Sequence, residues 1–170
     1  FQTQPKKIYY SFPQQKPSYV EKIADGREWQ SVTTDVKTAT KNILKEISDI
    51  VDIEFVHTED PAQPFVIAVM ANNQGSSVAY SYFPSVEFSE GSDIFLDNDY
   101  LSPEFLAHNK TNYDYEIIVH EIGHALGLKH PFAPLGNNDY VLPQFEDNSR
   151  LTAMTYTENA SFFNGELRAF

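Results

Sequence analysis

Cysteine is absent from this chain of 170 residues. That excludes a disulfide scaffold, thiol catalysis and thiolate-held clusters, so any metal site must be built from imidazole and oxygen. Basic charge is scarce: 12 Lys and Arg stand against 24 Asp and Glu, for a net charge of −12. The few cations are scattered. Nucleic acid is therefore excluded as a partner, because neutralising phosphates needs clustered positive charge. Long apolar runs are missing too, and none approaches the roughly 18 residues that would span a bilayer. Glycine is limited to 7 residues with no repeat. The stretch Phe1 to Lys7 has neither the apolar core nor the small-residue cleavage site of a signal peptide.

What is there is globular. The hydrophobic fraction is 41% and the charged fraction 21%, a balance that builds a packed core rather than a disordered chain. The length suits one domain spanning 1–170. Lys7 to Phe12 reads as a strand, followed by a loop with Pro13 and Pro17. Val32, Val36, Ala39, Ile43, Ile47 and Ile50 recur at three- and four-residue spacing and predict a core-packing helix over 32–50. Asp52 to His57 predicts a second strand, and the continuous apolar run Phe65 to Ala71 a strand buried on both faces. Val78 to Phe83 and Asp93 to Leu96 add two more, with Pro84 pointing to an edge position for the former. Tyr113 to Leu126 returns to helical periodicity, with Asn112 or Asp114 as cap and Gly127 at its stop. Beyond Pro131, Pro, Asn, Asp and Gly dominate and periodicity fades. The fold class is therefore α+β with an α/β-like N-terminal part: residues 1–127 form a sheet-and-helix subdomain and 128–170 an irregular C-terminal one.

The chemistry concentrates in His120 to Pro131, HEIGHALGLKHP. His120 and His124 are one helical turn apart, so two imidazoles share a face and can occupy two corners of a metal tetrahedron. Glu121, beside the first, cannot easily join the same coordination sphere but can reach a metal-bound water. Gly127 lets the backbone leave the helix, through a left-handed conformation if needed, and His130 returns toward the other two. Three neutral imidazoles leave an open position for water, as in catalytic rather than structural zinc sites. Chance accounts poorly for this: HExxH alone arises about once in a hundred chains of this composition, and the added Gly and His lower that to roughly one in 10⁵.

The spacing HExxHxxGxxH resembles the zinc signature of the metzincin metallopeptidases, and Pro131 directly after the third His resembles the serralysin branch of bacterial secreted proteases. Leu151 to Thr157, LTAMTYT, is similar to that family's Met-turn, with Met154 beneath the metal and Tyr156 two residues on. The stretch Gly75 to Pro84, followed by SDIFLDN, resembles the substrate-binding edge strand and its neighbour. The resemblance implies a metzincin fold: a twisted five-stranded mixed sheet, two long helices and an irregular C-terminal subdomain. It implies one catalytic zinc held by His120, His124 and His130, with Tyr156 as a further ligand that swings to stabilise the transition state. It also implies a substrate lying along Val78, Ala79, Tyr80, Ser81 and Tyr82. This chain departs from the family in lacking the glycine-rich calcium-binding repeats and in leaving only Thr157 to Phe170 after the Met-turn, where the family places a helix.

The activity so implied is that of a secreted bacterial zinc endopeptidase. It would hydrolyse peptide bonds through a zinc-bound water with Glu121 as general base. The expected partners are a protein or peptide substrate and a proteinaceous inhibitor, and the expected state is a monomer. Two other readings compete: a non-catalytic zinc-stabilised adhesin or surface-layer module, and a non-peptide amide hydrolase. Retention of Glu121 speaks against the first, and the edge strand against the second. Glu87, Glu90, Asp93, Asp97 and Asp99 could hold Ca²⁺, but without a D-x-[DN]-x-[DN]-G loop they read as a solvated acidic surface. His57 and His108 receive no role.

Overall fold

The computed structural model describes residues 6–20, 28–61, 66–101, 113–157, 161–163 and 166–168. They fall into two compact units, Phe1–Leu126 and Gly127–Phe170. In the first, the order is β1 (Lys6–Ser11), β2 (Trp29–Ser31), α1 (Thr34–Ser48), β3 (Ile53–His57), β4 (Val66–Asn72), β5 (Ala79–Ser81), β6 (Ile94–Asp97), a 3-10 turn at Asn98–Leu101, and α2 (Tyr113–Ala125). The strands line up as β3-β1-β4-β6-β5, and β2 adds a sixth by pairing antiparallel with β4. The pairs β1–β3, β1–β4 and β4–β6 are parallel, whereas β5 runs antiparallel to β6 and lies at one edge. The sheet is thus mixed and the class α+β. The short strand β2 is an addition to the expected five.

The side chains of β4 alternate between the two faces of the sheet, the period of two that a strand imposes. All seven of its residues are buried. Ile67, Val69 and Ala71 join Ile94 and Leu96 of β6 in a core shared with Val36, Ala39, Ile43 and Leu44 of α1 and Ile117, Ile118, Ile122 and Ala125 of α2. Ala68, Met70 and Phe95 alternate with them and pack with Val20, Tyr19, Trp29, Tyr80 and Tyr82 in a second cluster. Both helices therefore cover one face, and an aromatic layer covers the other. Fully burying one such aliphatic side chain is worth about 1.5–3 kcal/mol, so this shared core fixes where α2 lies.

α1 starts at Thr33, whose hydroxyl accepts from the Val36 amide at 3.4 Å, with Asp35 in the first turn. The buried Thr40 hydroxyl donates to the Val36 carbonyl at 2.8 Å. The helix ends earlier than its apolar stripe predicts. Asp49 caps it, and Ile50 falls in the following turn, 83% exposed. In α2, Asp114 is not the cap; it sits inside the first turn, where a negative charge complements the helix dipole. Asn112, His108 and Phe65 lie outside the described residues.

The acidic stretch divides: Glu87 and Asp99 are exposed, as the sequence suggests, whereas Asp93 and Asp97 are not. Asp93 and Asp97, which flank the apolar residues of β6, are 0% and 5% exposed. Asp97 accepts from the amides of Gln74 at 2.6 Å and Asp99 at 2.9 Å. It acts as a turn-organising acceptor, which accounts for its burial.

The second unit is mostly turns. Lys129 Nζ donates to the carbonyls of Ala133 at 2.8 Å and Tyr140 at 2.6 Å, with a longer reach of 3.3 Å to that of His130. Leu142 donates to the Pro131 carbonyl at 2.8 Å. The region expected to be irregular also carries a hairpin, β7 (Ser161–Phe163) with β8 (Glu166–Arg168). Its register pairs Phe163 with Glu166.

Candidate metal centre

α2 presents two faces. Ile118 and Ile122 are buried in the core, His120 and His124 lie on the opposite side of the helix, and Glu121 lies between the two; all three polar residues are buried. The i, i+4 spacing brings the two imidazoles together: the ring centroids of His120 and His124 are 4.7 Å apart, with planes at 86°. After Ala125 the last turn closes, with the Leu126 amide donating to Ile122 at 2.9 Å. Gly127 then adopts φ 98°, a backbone conformation that a side chain would strain. The chain turns there and reaches His130. One nitrogen from each of His120, His124 and His130 lies within 4.8 Å of the others, a set that can hold a metal ion. Among the described residues, no second group of three His, Asp or Glu converges in this way.

Glu121 makes a contact that its neighbours in sequence do not reveal. Its Oε2 accepts a hydrogen bond from Ser81 Oγ, on β5, at 2.6 Å. Burial pushes the Glu121 carboxyl above the usual carboxylate range, while the Ser81 hydrogen bond and the charge of His124 draw it partly back. The ring of Phe83 packs edge-on against His124 at 5.4 Å.

Residues 22 to 136 match the matrixin peptidase family. This chain belongs to the matrixin family. Among curated proteins it is similar to serralysin of Photorhabdus laumondii subsp. laumondii, 29% identical over an alignment of 163 positions that covers 84% of this chain and 32% of that one. It is also similar to serralysin of Photorhabdus luminescens, 27% identical over an alignment of 163 positions with the same coverage of 84% and 32%. The chain thus spans about a third of the length of these relatives. This matrixin is a serralysin-like metzincin catalytic domain, and its mixed sheet with two helices is the metzincin fold.

In the second unit of this matrixin, the ring of Tyr156 lies 4.5 Å from that of His130 and 5.4 Å from that of Phe132, and Phe132 stacks on His130 at 5.0 Å. Tyr156 is exposed and Met154 is buried, with the Met154 amide held by the Thr152 hydroxyl at 3.1 Å. An open cleft of about 370 Å³ in this unit is lined by residues including Leu128, Pro131, Leu135, Tyr140 and Met154.

The five candidate residues, three on β5 and Val78 and Tyr82 flanking it, divide between the sheet faces. Val78 and Ala79 pack into the helix-side core. Tyr80 turns to the opposite face, stacking on Phe95 at 5.0 Å and accepting from Asn72 Nδ2 at 2.9 Å. Tyr82 follows it there. The ladder bonds run from the Tyr82 amide to the Asp93 carbonyl and from the Asp97 amide to the Val78 carbonyl. Antiparallel alternation therefore turns the backbone N–H and C=O groups of Ala79 and Ser81 toward the open edge. The side chains of Tyr80 and Tyr82 anchor the strand on that opposite face.

Proposed function

We propose that this chain is the catalytic portion of a secreted bacterial zinc endopeptidase. One observation carries the reading: three imidazole nitrogens converge beside a buried glutamate. A donor set of three neutral imidazoles suits zinc and leaves an open coordination position. His120, His124 and His130 would hold the ion. When bound, it would polarise the scissile carbonyl and make a water acidic enough to ionise near neutral pH.

The rest falls to side chains and backbone of the chain. Glu121 accepts the proton of the attacking water on its carboxylate and returns it to the leaving amine. Tyr156 donates its hydroxyl to the oxygen that gains negative charge in the transition state. The outward backbone groups of Ala79 and Ser81 pair with an extended peptide, adding a strand to the edge of the sheet. The cleft beside Leu135 and Tyr140 takes a substrate side chain. The likeness to serralysins supports the secreted, bacterial setting.

The test is cleavage of casein and of a mixed peptide library by the zinc-loaded protein, with and without chelator, alongside Glu121→Gln. Chelator-sensitive cleavage is expected, together with a variant that binds one zinc and loses nearly all activity. Zinc binding with no cleavage of any peptide would instead favour a zinc-stabilised adhesin or surface-layer module.

A further inference from the structure

We propose that Ser81 is a positioning residue for Glu121, fixing one oxygen of its carboxylate so that the other faces the reacting water. The inference rests on the reading of Glu121 as the general base. Ser81 Oγ lies 2.6 Å from Glu121 Oε2, the length of a charge-assisted O–H···O⁻ bond. The two residues are forty positions apart, so only the packing of α2 on β5 brings them together.

The bond answers a specific need. Glu121 is 7% exposed, and a buried carboxylate requires a donor. Ser81 supplies one and has a single proton to give. Oε2 is thereby oriented while Oε1 keeps its lone pairs for the water. A glutamate has three side-chain torsions, and misplacing a catalytic group by about 1 Å can cost up to 10²-fold in rate. A hydroxyl fixed on a paired strand removes part of that freedom.

The position of Ser81 adds a second consequence. Its side chain faces the helix, while its backbone N–H and C=O face the open edge where an extended substrate would pair. A single residue therefore joins the peptide-binding edge to the base, and a substrate seated correctly on β5 finds the carboxylate in register with it. Ser81→Ala separates the two roles, because it keeps the backbone and removes only the hydroxyl.

The experiment compares wild type, Ser81→Ala, Ser81→Thr and Glu121→Gln, all purified as the full chain. Zinc content is expected to be equal in all four. Ser81→Ala should lower kcat about ten-fold with KM changed less than two-fold, and Ser81→Thr, which keeps a hydroxyl on a β-branched residue suited to a strand, should recover most of that loss. Infrared spectra of the metal-free proteins supply a readout independent of turnover. The carboxylate band that Glu121→Gln removes should shift in Ser81→Ala and return in Ser81→Thr. An unshifted band, or a loss confined to KM, overturns the positioning role. Full activity in Glu121→Gln overturns the reading on which it rests, whatever the infrared band does.

Discussion

Asp93 lies beside Tyr19 in the protein interior, and neither its carboxylate oxygens nor the phenol hydroxyl closes a hydrogen bond of ordinary geometry. Burial pushes the Asp93 carboxyl up to about 8, against the pull of the nearby Tyr19 hydroxyl and Ala68 amide, and the charge of Glu90 adds to the rise. The same burial, with Asp93 alongside, raises the Tyr19 phenol.

A pH dependence follows. In the unfolded chain an aspartate ionises near pH 4, whereas folded Asp93 holds its proton to about pH 8. Between these values the folded state binds the extra proton, so stability falls as pH rises, by up to about 1.4 kcal/mol per unit, and levels off above pH 8. Asp93→Asn, uncharged at every pH and nearly the same shape, should flatten that slope and be the more stable of the two at pH 8. Melting temperatures of both proteins from pH 5 to 9 check this, and parallel curves would overturn it.

Gly127 carries the second prediction. Its φ of 98° lies where a β-carbon clashes with the backbone. Gly127→Ala should cost about 1–2 kcal/mol by denaturant unfolding. Because His130 follows three residues later, the variant should also bind zinc more weakly in a competition titration. Unchanged stability and affinity would show that the helix exit tolerates a side chain.

How much of this could be read in advance divides along local and non-local lines. Both helices declare themselves through apolar periodicity and the strands β1, β3, β4, β5 and β6 through short apolar or aromatic runs, signals that depend on residues close in sequence. The pair His120 and His124 is legible for the same reason, since one helical turn sets its geometry. β2 has three residues and pairs with a strand about forty positions away, so no local pattern marks it. Ser81 is named through the resemblance of its strand, but its bond to Glu121 is likewise silent, because the partner lies on a helix forty positions away. Asp93 and Asp97 mislead because charge ordinarily signals solvent, and only the sheet shows that they cap a buried strand. The β7–β8 hairpin did have a signal in Asn164-Gly165, flanked by Phe162, Phe163 and Leu167.

The third prediction concerns the loop that follows the helix. Lys129 spreads one ammonium group over the carbonyls of His130, Ala133 and Tyr140. Those carbonyls belong to a segment with little regular structure, so the lysine stands in for a ladder. Lys129→Met keeps most of the aliphatic stem and removes the donors. Amides between Phe132 and Leu142 should then exchange with solvent faster, while those of β4 remain unchanged. Equal protection across that segment in both proteins would mean that the Leu142–Pro131 bond and its neighbours suffice.

Tyr156 supplies the last prediction, and it follows from exposure as much as from position. A tyrosine packed for stability would be buried, yet this one is 69% exposed while its ring sits 4.5 Å from that of His130. Its contacts with His130 and Phe132 fix the ring and leave the edge accessible. If the hydroxyl serves the oxygen that becomes negative during hydrolysis, its contribution appears only in the transition state. Tyr156→Phe preserves the ring and its packing and deletes only that donor. Melting temperature and zinc content should therefore stay close to wild type. KM should change little, and kcat should fall about 10²- to 10³-fold, the usual cost of losing one oxyanion donor. Steady-state kinetics on a single fluorogenic peptide separate these terms. A variant that keeps its kcat would relieve Tyr156 of any part in the chemistry; one that loses zinc would move its role from the transition state to the resting metal site.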